Sequence, residues 1–328
     1  MKITKTREFI CSTCLSILTI VLCVMAMEIY FAFTYHSPFE EDKLLVFNRI
    51  SYFTPPLNAD GFRQTPIPDA AMDNDTTRIL FLGDSFTFGL GMEDGGLRFT
   101  SLLEQRLNAE STLHYHIYNA GKSGTAPHNW VGYLRKLLPT YKPNIVFAVF
   151  FLRDGSGIAL SLAAHRKHIA LLRHEYADSW LYHHSHIARA VIDYEIAQAF
   201  NKRYYRDAVI NAYVGDEKNR KIWKFEQENL RKLNAICAHA GIPFHLVIFP
   251  ALLDLHNYPF QAVEDEVFNF AHTQNIPVVS LNSGFLGRDE HMLWIGPGDQ
   301  HPNALGHKIA ADTLYPYLKS SLKSLEVK

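Results

Sequence analysis

Cysteine is scarce. The 328 residues hold four, and Cys11, Cys14 and Cys23 fall in one apolar segment near the N-terminus. Only Cys237 is left for the remainder, which therefore has no internal disulfide even if it lies outside the cytoplasm. Cys11-x-x-Cys14 has the spacing of a redox or metal pair, but its apolar setting argues against thiolate chemistry. An excess of either charge is also lacking: 32 Lys and Arg stand against 33 Asp and Glu, for a net charge of −1. That balance gives no electrostatic footprint for nucleic acid or for an acidic partner, and no nucleic acid is expected. No internal repeat is evident. What the chain does have is 48% hydrophobic residues over its length, enough for one α/β domain with a sizeable core and additions to it.

Charge is absent from residues 9–27, a run of 19 that is long enough to cross a bilayer as a helix. Lys2, Lys5 and Arg7 precede the run, and Glu40, Glu41 and Asp42 follow it. The positive flank predicts a cytoplasmic tail over 1–8, a transmembrane signal-anchor helix over 9–33, and everything after it outside the cytoplasm. Tyr30, Phe31, Phe33 and Tyr35 suit the far interface, where aromatic rings are enriched. A cleaved signal peptide is the competing reading. Val24-Met25-Ala26 is a passable cleavage site, but the apolar run is long for one. No lipidation cysteine is evident, because Leu22 stands before Cys23 where a small residue is expected. Residues 34–77 carry Pro38, Pro55, Pro56, Pro66 and Pro68 without a clear period and read as an extended connector. Within it, Asn58-Ala59-Asp60-Gly61-Phe62-Arg63 is assigned to packing.

From Arg78 strand and helix patterns alternate. Strands are expected over 78–82, 114–119, 144–151, 243–249 and 276–281. Helices are marked by Phe99, Leu103 and Leu107, by Trp130, Leu134 and Leu137, by Leu230, Leu233 and Cys237, by Val263, Val267 and Phe270, and by Ala310, Leu314 and Leu318. Such alternation implies a parallel sheet covered on both faces, with any site at the carboxyl ends of the strands. Residues 156–222 break it. They are rich in aromatic and charged residues, mostly helix-like, and read as an insertion that is either a lid or a hairpin with no part in chemistry. Its His183, His184 and His186 lie close together, but no Cys or paired carboxylate completes a ligand set, and no metal is expected.

Two short blocks carry the chemistry. In Arg78-Ile79-Leu80-Phe81-Leu82-Gly83-Asp84-Ser85-Phe86-Thr87-Phe88-Gly89, an apolar strand ends in glycine, which permits a sharp exit. Ser85 follows where a helix begins and backbone N–H groups are unpaired, a setting that stabilises a developing oxyanion. A serine there is either a nucleophile or an ordinary N-cap. At the far end stands Gly298-Asp299-Gln300-His301-Pro302-Asn303. A serine nucleophile needs a base and the base needs an orienting group, and His301 and Asp299 supply both types two residues apart. Pro302 stiffens the loop carrying His301, and Asn303 can cap the helix after it.

With both blocks in view, roughly residues 75–320 resemble the SGNH hydrolases, also called GDSL esterases and lipases. Their first block, GDS-x-T-x-G, matches Gly83 to Gly89, and their last, an acid followed by His-Pro-Asn, matches Asp299 to Asn303. The resemblance implies a flavodoxin-like three-layer α/β/α sandwich over 78–325, with Ser85 as nucleophile, His301 as base and Asp299 as its orienting acid. The commoner family spacing puts two residues between acid and histidine. Here there is one, as in some relatives that act on polysaccharides, and Asp289 is a reserve for the acid. Asn119-Ala120-Gly121-Lys122-Ser123-Gly124 resembles the second block, which gives Gly124 the role of a backbone oxyanion donor. The third block is Gly-x-Asn-Asp, where this chain has Phe151-Leu152-Arg153-Asp154. Arginine replaces the donor asparagine. Arg153 can serve the oxyanion, bind an anionic substrate group, or pair with Asp154.

The expected activity is that of a membrane-anchored serine hydrolase of acyl or acetyl esters, acetylated glycans among them, working outside the cytoplasm through an acyl-serine intermediate. No cofactor is implied, since a serine triad needs none. Two alternatives remain open. One is an O-acyltransferase that hands the same acyl group to a cell-envelope polysaccharide. The other is a non-catalytic carbohydrate- or lipid-binding domain that retains the fold.

Overall fold

Ile79, Leu80, Phe81 and Leu82 form one buried apolar run and Ile145–Phe151 another, so neither has a polar face to turn to water. Runs of this kind become strands covered on both sides. The computed structural model describes residues 2–35, 37, 55–63, 76–157, 166–296 and 299–326. The chain divides into two compact units, Met1–Phe47 with Leu160–Lys202, and Asn48–Ala159 with Arg203–Lys328.

The second unit is built on β1 (Thr76–Gly83), β2 (His114–Gly121), β3 (Ile145–Phe151), β4 (Phe244–Phe249) and β5 (Val278–Ser280). All pair in parallel, in the order β2-β1-β3-β4-β5. This is the flavodoxin-like order, and the expected three-layer sandwich is present. Helices α4 (Pro127–Tyr141), α9 (Lys221–His239) and α10 (Gln261–Thr273) pack on one face, while α3 (Phe99–Glu110) and α12 (Ala304–Glu326) pack on the other. Phe81 stacks on Phe147 at 5.0 Å and meets Phe99 edge-on at 5.8 Å. Each such ring contributes about 1.5–3 kcal/mol by burial. The strand order reverses between β1 and β3. The crevice at their carboxyl ends is where doubly wound sheets bind ligands, and Ser85 follows β1 while Arg153 follows β3.

Short elements complete the unit: α2 (Ser85–Phe88), α8 (Arg206–Val214), α11 (Asn282–Phe285), and an antiparallel pair, β6 (Trp294–Gly296) and β7 (Asp299–Pro302). His301 is expected in a loop and instead lies on β7. Gly83 also differs from expectation. Its φ is not positive. A Cβ there would stand 2.0 Å from Thr87 Oγ1, so glycine is required by the close return of α2 onto β1. The packing role assigned to 58–63 is what is found. Arg63 is buried and donates to the carbonyls of Gly89, at 2.7 Å, and of Met92 and Glu93, at 2.5 and 3.0 Å, which clamps the loop behind α2. The rest of the connector expected over 34–77 lies largely outside the described residues.

The first unit contains α1 (Lys2–Thr34), α5 (Arg166–Tyr176), α6 (Trp180–His184) and α7 (His186–Ala199). Within α1, Ser12–Thr34 has a mean hydropathy of 2.2 and no buried share. The segment read as one insertion over 156–222 divides between the units, its described part over 166–202 belonging here and α8 to the α/β unit.

Candidate active site

Asp84, not Ser85, is the N-cap of α2: its Oδ1 accepts the Phe86 N–H at 2.8 Å. Ser85 is thereby the first helical residue, and its side chain is free for other work. Its Oγ lies 2.9 Å from His301 Nε2 and 3.3 Å from Asp84 Oδ2. On the other side of the ring, His301 Nδ1 lies 2.5 Å from Asp299 Oδ1, which also accepts the His301 backbone N–H at 3.0 Å. The one-residue spacing has a simple geometric reason. Residues i and i+2 of a strand project to the same side, so β7 presents Asp299 and His301 together. Asn303 caps α12, its Oδ1 accepting the Gly306 N–H at 3.1 Å. Asp289 takes no part, because its carboxylate caps a separate turn at the His291 N–H.

Gly124 sits in the loop after β2 with φ of +76°, a conformation that suits glycine. A Cβ there would meet nothing within 4 Å, which leaves its backbone open to approach. The loop is tied to the end of β1 by the Lys122 N–H and the Thr125 hydroxyl, both donating to the Gly83 carbonyl, at 3.0 and 3.3 Å.

Arg153 stands on a single 3-10 turn, Leu152–Gly155, with its side chain mostly buried. Its ion pair is with Asp84, Nη2 to Oδ2 at 3.4 Å. Asp154 instead accepts the Phe151 N–H at 3.1 Å. One carboxylate oxygen of Asp84 therefore bridges the serine hydroxyl and the guanidinium. Burial raises the Asp84 carboxyl above its ordinary range and Arg153 opposes that shift. Asp154 is raised well above its range, by burial first and then by the neighbouring Asp84 charge. Tyr213 holds the turn, donating its hydroxyl to the Leu152 carbonyl and accepting the Gly155 N–H.

Asp84 and Tyr213 carry no assigned role in the sequence reading. Asp84 was marked only by its place in the first block, and nothing local marks Tyr213, which arrives from α8. A further pair, His128 Nδ1 and Glu226 Oε1 at 2.6 Å, closes the first turn of α4, where Glu226 also accepts the His128 N–H.

No family model matches the chain, and neither does any curated protein. Among solved structures it is similar to TesA, with a TM-score of 0.46 and 17% identity over 74% of this chain and 99% of that one. It is similar to the psychrotrophic esterase EstA from Pseudoalteromonas sp., with a TM-score of 0.43 and 16% identity over 75% and 99%. A third is a two-domain esterase active on acetylated mannans, with a TM-score of 0.41 and 17% identity over 77% of this chain and 50% of that one.

Proposed function

We propose that the chain is a serine ester hydrolase with Ser85 as nucleophile. The observation that carries this reading is the continuous line Ser85 Oγ–His301 Nε2 and His301 Nδ1–Asp299 Oδ1, at 2.9 and 2.5 Å. His301 takes the Ser85 proton as Oγ adds to the ester carbonyl, and returns it to the alcohol oxygen as that C–O bond breaks. Asp299 holds the proton-bearing nitrogen toward itself and stabilises the imidazolium. A water, deprotonated by His301, then releases the acid and regenerates Ser85. The Gly124 N–H and Arg153 are assigned to the oxyanion. Arg153 is supported by its place at the end of β3, one carboxylate away from the nucleophile.

The same reading places the enzyme on a membrane through α1, with a cytoplasmic N-terminus and the α/β unit on the other side. Lys2, Lys5 and Arg7 ahead of the apolar span support that orientation. The test combines a fluorophosphonate probe with acetate and alkanoate release from a panel of simple esters and acetylated glycans. Labelling at Ser85 together with acid release is expected. Absence of both refutes the reading, and appearance of the acyl group on an added glycan in place of free acid identifies a transferase.

A further inference from the structure

Hydrogen bonds at Glu28 and Tyr35 tie the outer end of α1 to α7. The Tyr35 hydroxyl donates to Asp193 Oδ2 at 2.8 Å, and Asp193 is 1% exposed. Glu28 accepts the His186 N–H at 2.8 Å and the Ser185 hydroxyl, both at the start of α7. Residues 28 and 35, the latter one step past α1 with its N–H still bonded to the Phe31 carbonyl at 2.9 Å, and residues 186 and 193 of α7 are each about 10 Å apart at about 1.5 Å per residue. The two helices therefore run side by side in the same direction. Ser185 joins α6 to α7, so α6 is held near the level of Glu28. Tyr182 pins it there, its hydroxyl donating to Asp193 Oδ1 at 2.8 Å and its carbonyl accepting from Arg189 Nε at 3.3 Å.

The composition of α1 says where that level lies. The uncharged residues 9–27 make a helix about 28 Å long, close to the roughly 30 Å thickness of a hydrocarbon core. Glu28 is the first charge beyond them and marks the boundary. A carboxylate at that depth is costly unless paired, and the α7 terminus supplies its partners. On the same level α6 buries Tyr182 and turns outward Trp180, 70% exposed, and Leu181, 57% exposed. The Trp180 ring stacks on His184 at 4.4 Å, so a large apolar ring is held out rigidly. Tryptophan is a residue of the bilayer interface, where a flat apolar ring carries one polar N–H.

We propose that α6 is an interfacial membrane anchor. Trp180 and Leu181 insert at the boundary between headgroups and acyl chains, in the leaflet where α1 ends. The helical unit is then attached to the bilayer at two points, which fixes the rotation of α7 about α1 as well as its depth. This rests on α1 being a membrane span.

Fluorescence tests it on the full chain. The sequence has four tryptophans, and Trp130, Trp223 and Trp294 are buried, so the emission lost in Trp180→Tyr belongs to Trp180. The chain is placed in phosphatidylcholine vesicles whose acyl chains carry bromine near the headgroup. The expected result is loss of Trp180 emission to the bromine and protection of Trp180 from aqueous iodide. A thiol-reactive fluorophore on the exposed Cys14 and Cys23 of α1 reports the span separately. If those labels are quenched by bromine while iodide reaches Trp180, the span stands and the α6 anchor is overturned. Shielding of Trp180 from both quenchers means that protein covers it, which also overturns the anchor. If the α1 labels escape bromine, the span reading itself fails and the anchor with it.

Discussion

Ser85 is only 3% exposed, and its hydroxyl has two acceptors in reach, His301 at 2.9 Å and Asp84 at 3.3 Å. In the proposed mechanism the shorter contact is the productive one, because the imidazole accepts the proton and keeps it close to the leaving group. Ser85→Ala is expected to lower kcat by about 10⁶-fold and Asp299→Ala by about 10⁴-fold, the pattern of a unit whose members fail together. Asp289→Ala should leave kcat unchanged, since that carboxylate caps a separate turn. Turnover of p-nitrophenyl acetate by each variant decides between the two acids, and a large loss in Asp289→Ala with Asp299→Ala active would reverse the assignment. Arg153 asks for a finer series. An oxyanion donor acts mainly in the transition state, so Arg153→Ala is expected to cost about 10²–10³-fold in kcat with little change in KM. Arg153→Asn restores a neutral donor and should keep most of the activity. If instead Arg153→Lys is active and Arg153→Asn is not, the arginine acts by balancing the buried Asp84 charge, and the oxyanion role is wrong.

The elements around the site set a pH dependence of stability. His307, on the first turn of α12, is fully buried, accepts the Phe99 N–H at 3.4 Å, and stacks on the Phe99 ring of α3 at 6.0 Å. Burial, with Arg98 and Arg63 nearby, pushes its pKa down to about 3. The folded protein therefore keeps His307 neutral, while the unfolded chain takes up a proton below about pH 6.5. Between those two values the unfolded state binds more protons, so this residue makes stability fall as pH falls. His307→Gln keeps an acceptor and removes the titration. The denaturation midpoint of the variant should lose about one proton's worth of slope between pH 6.5 and 3. Parallel curves for wild type and variant would show that His307 does not stay neutral in the fold. This packing explains what the sequence could and could not tell. The strands announce themselves because Ile79 to Leu82 and Ile145 to Phe151 have no polar face, and their expected limits fall within two residues of those found. β6 and β7 were not legible, because three and four residues are too short to show a period. Asp299 and His301 were nevertheless legible as residue types, while the reason for their spacing, one face of a strand, was not. Likewise Arg153 was visible as a departure from the third block of the SGNH hydrolases that the sequence resembles, but its pairing with Asp84 depends on how β1 and β3 lie in register.

At the scale of the whole molecule, two compact units share one chain that passes between them more than once, so cooperativity across them has to be measured. The helical unit depends on a few polar contacts that can be removed one at a time. Asp193 is buried between the Tyr35 and Tyr182 hydroxyls. Burial and the Asp193 carboxylate push the Tyr35 phenol above its ordinary range, so it remains a donor throughout the neutral range. Tyr35→Phe leaves the shape and removes one donor to that carboxylate. A hydrogen bond to a charged group is worth about 1.5–3 kcal/mol, and each 1.4 kcal/mol is tenfold in an equilibrium. Opening of α7 should therefore be favoured by about 10–100-fold in Tyr35→Phe, read as faster amide hydrogen exchange along α7. The amides of β1, β3 and β4 are expected to exchange as in the wild type, because the ring contacts of their core, from Phe147 through Phe81 to Phe99, lie within the α/β unit. Ester turnover should be unchanged for the same reason, since Ser85, His301 and Asp299 all belong to the α/β unit. Equal acceleration in α7 and in the central strands would mean that the units open as one, and the contacts of α1 with α7 would then stabilise the whole protein and not the helical unit alone.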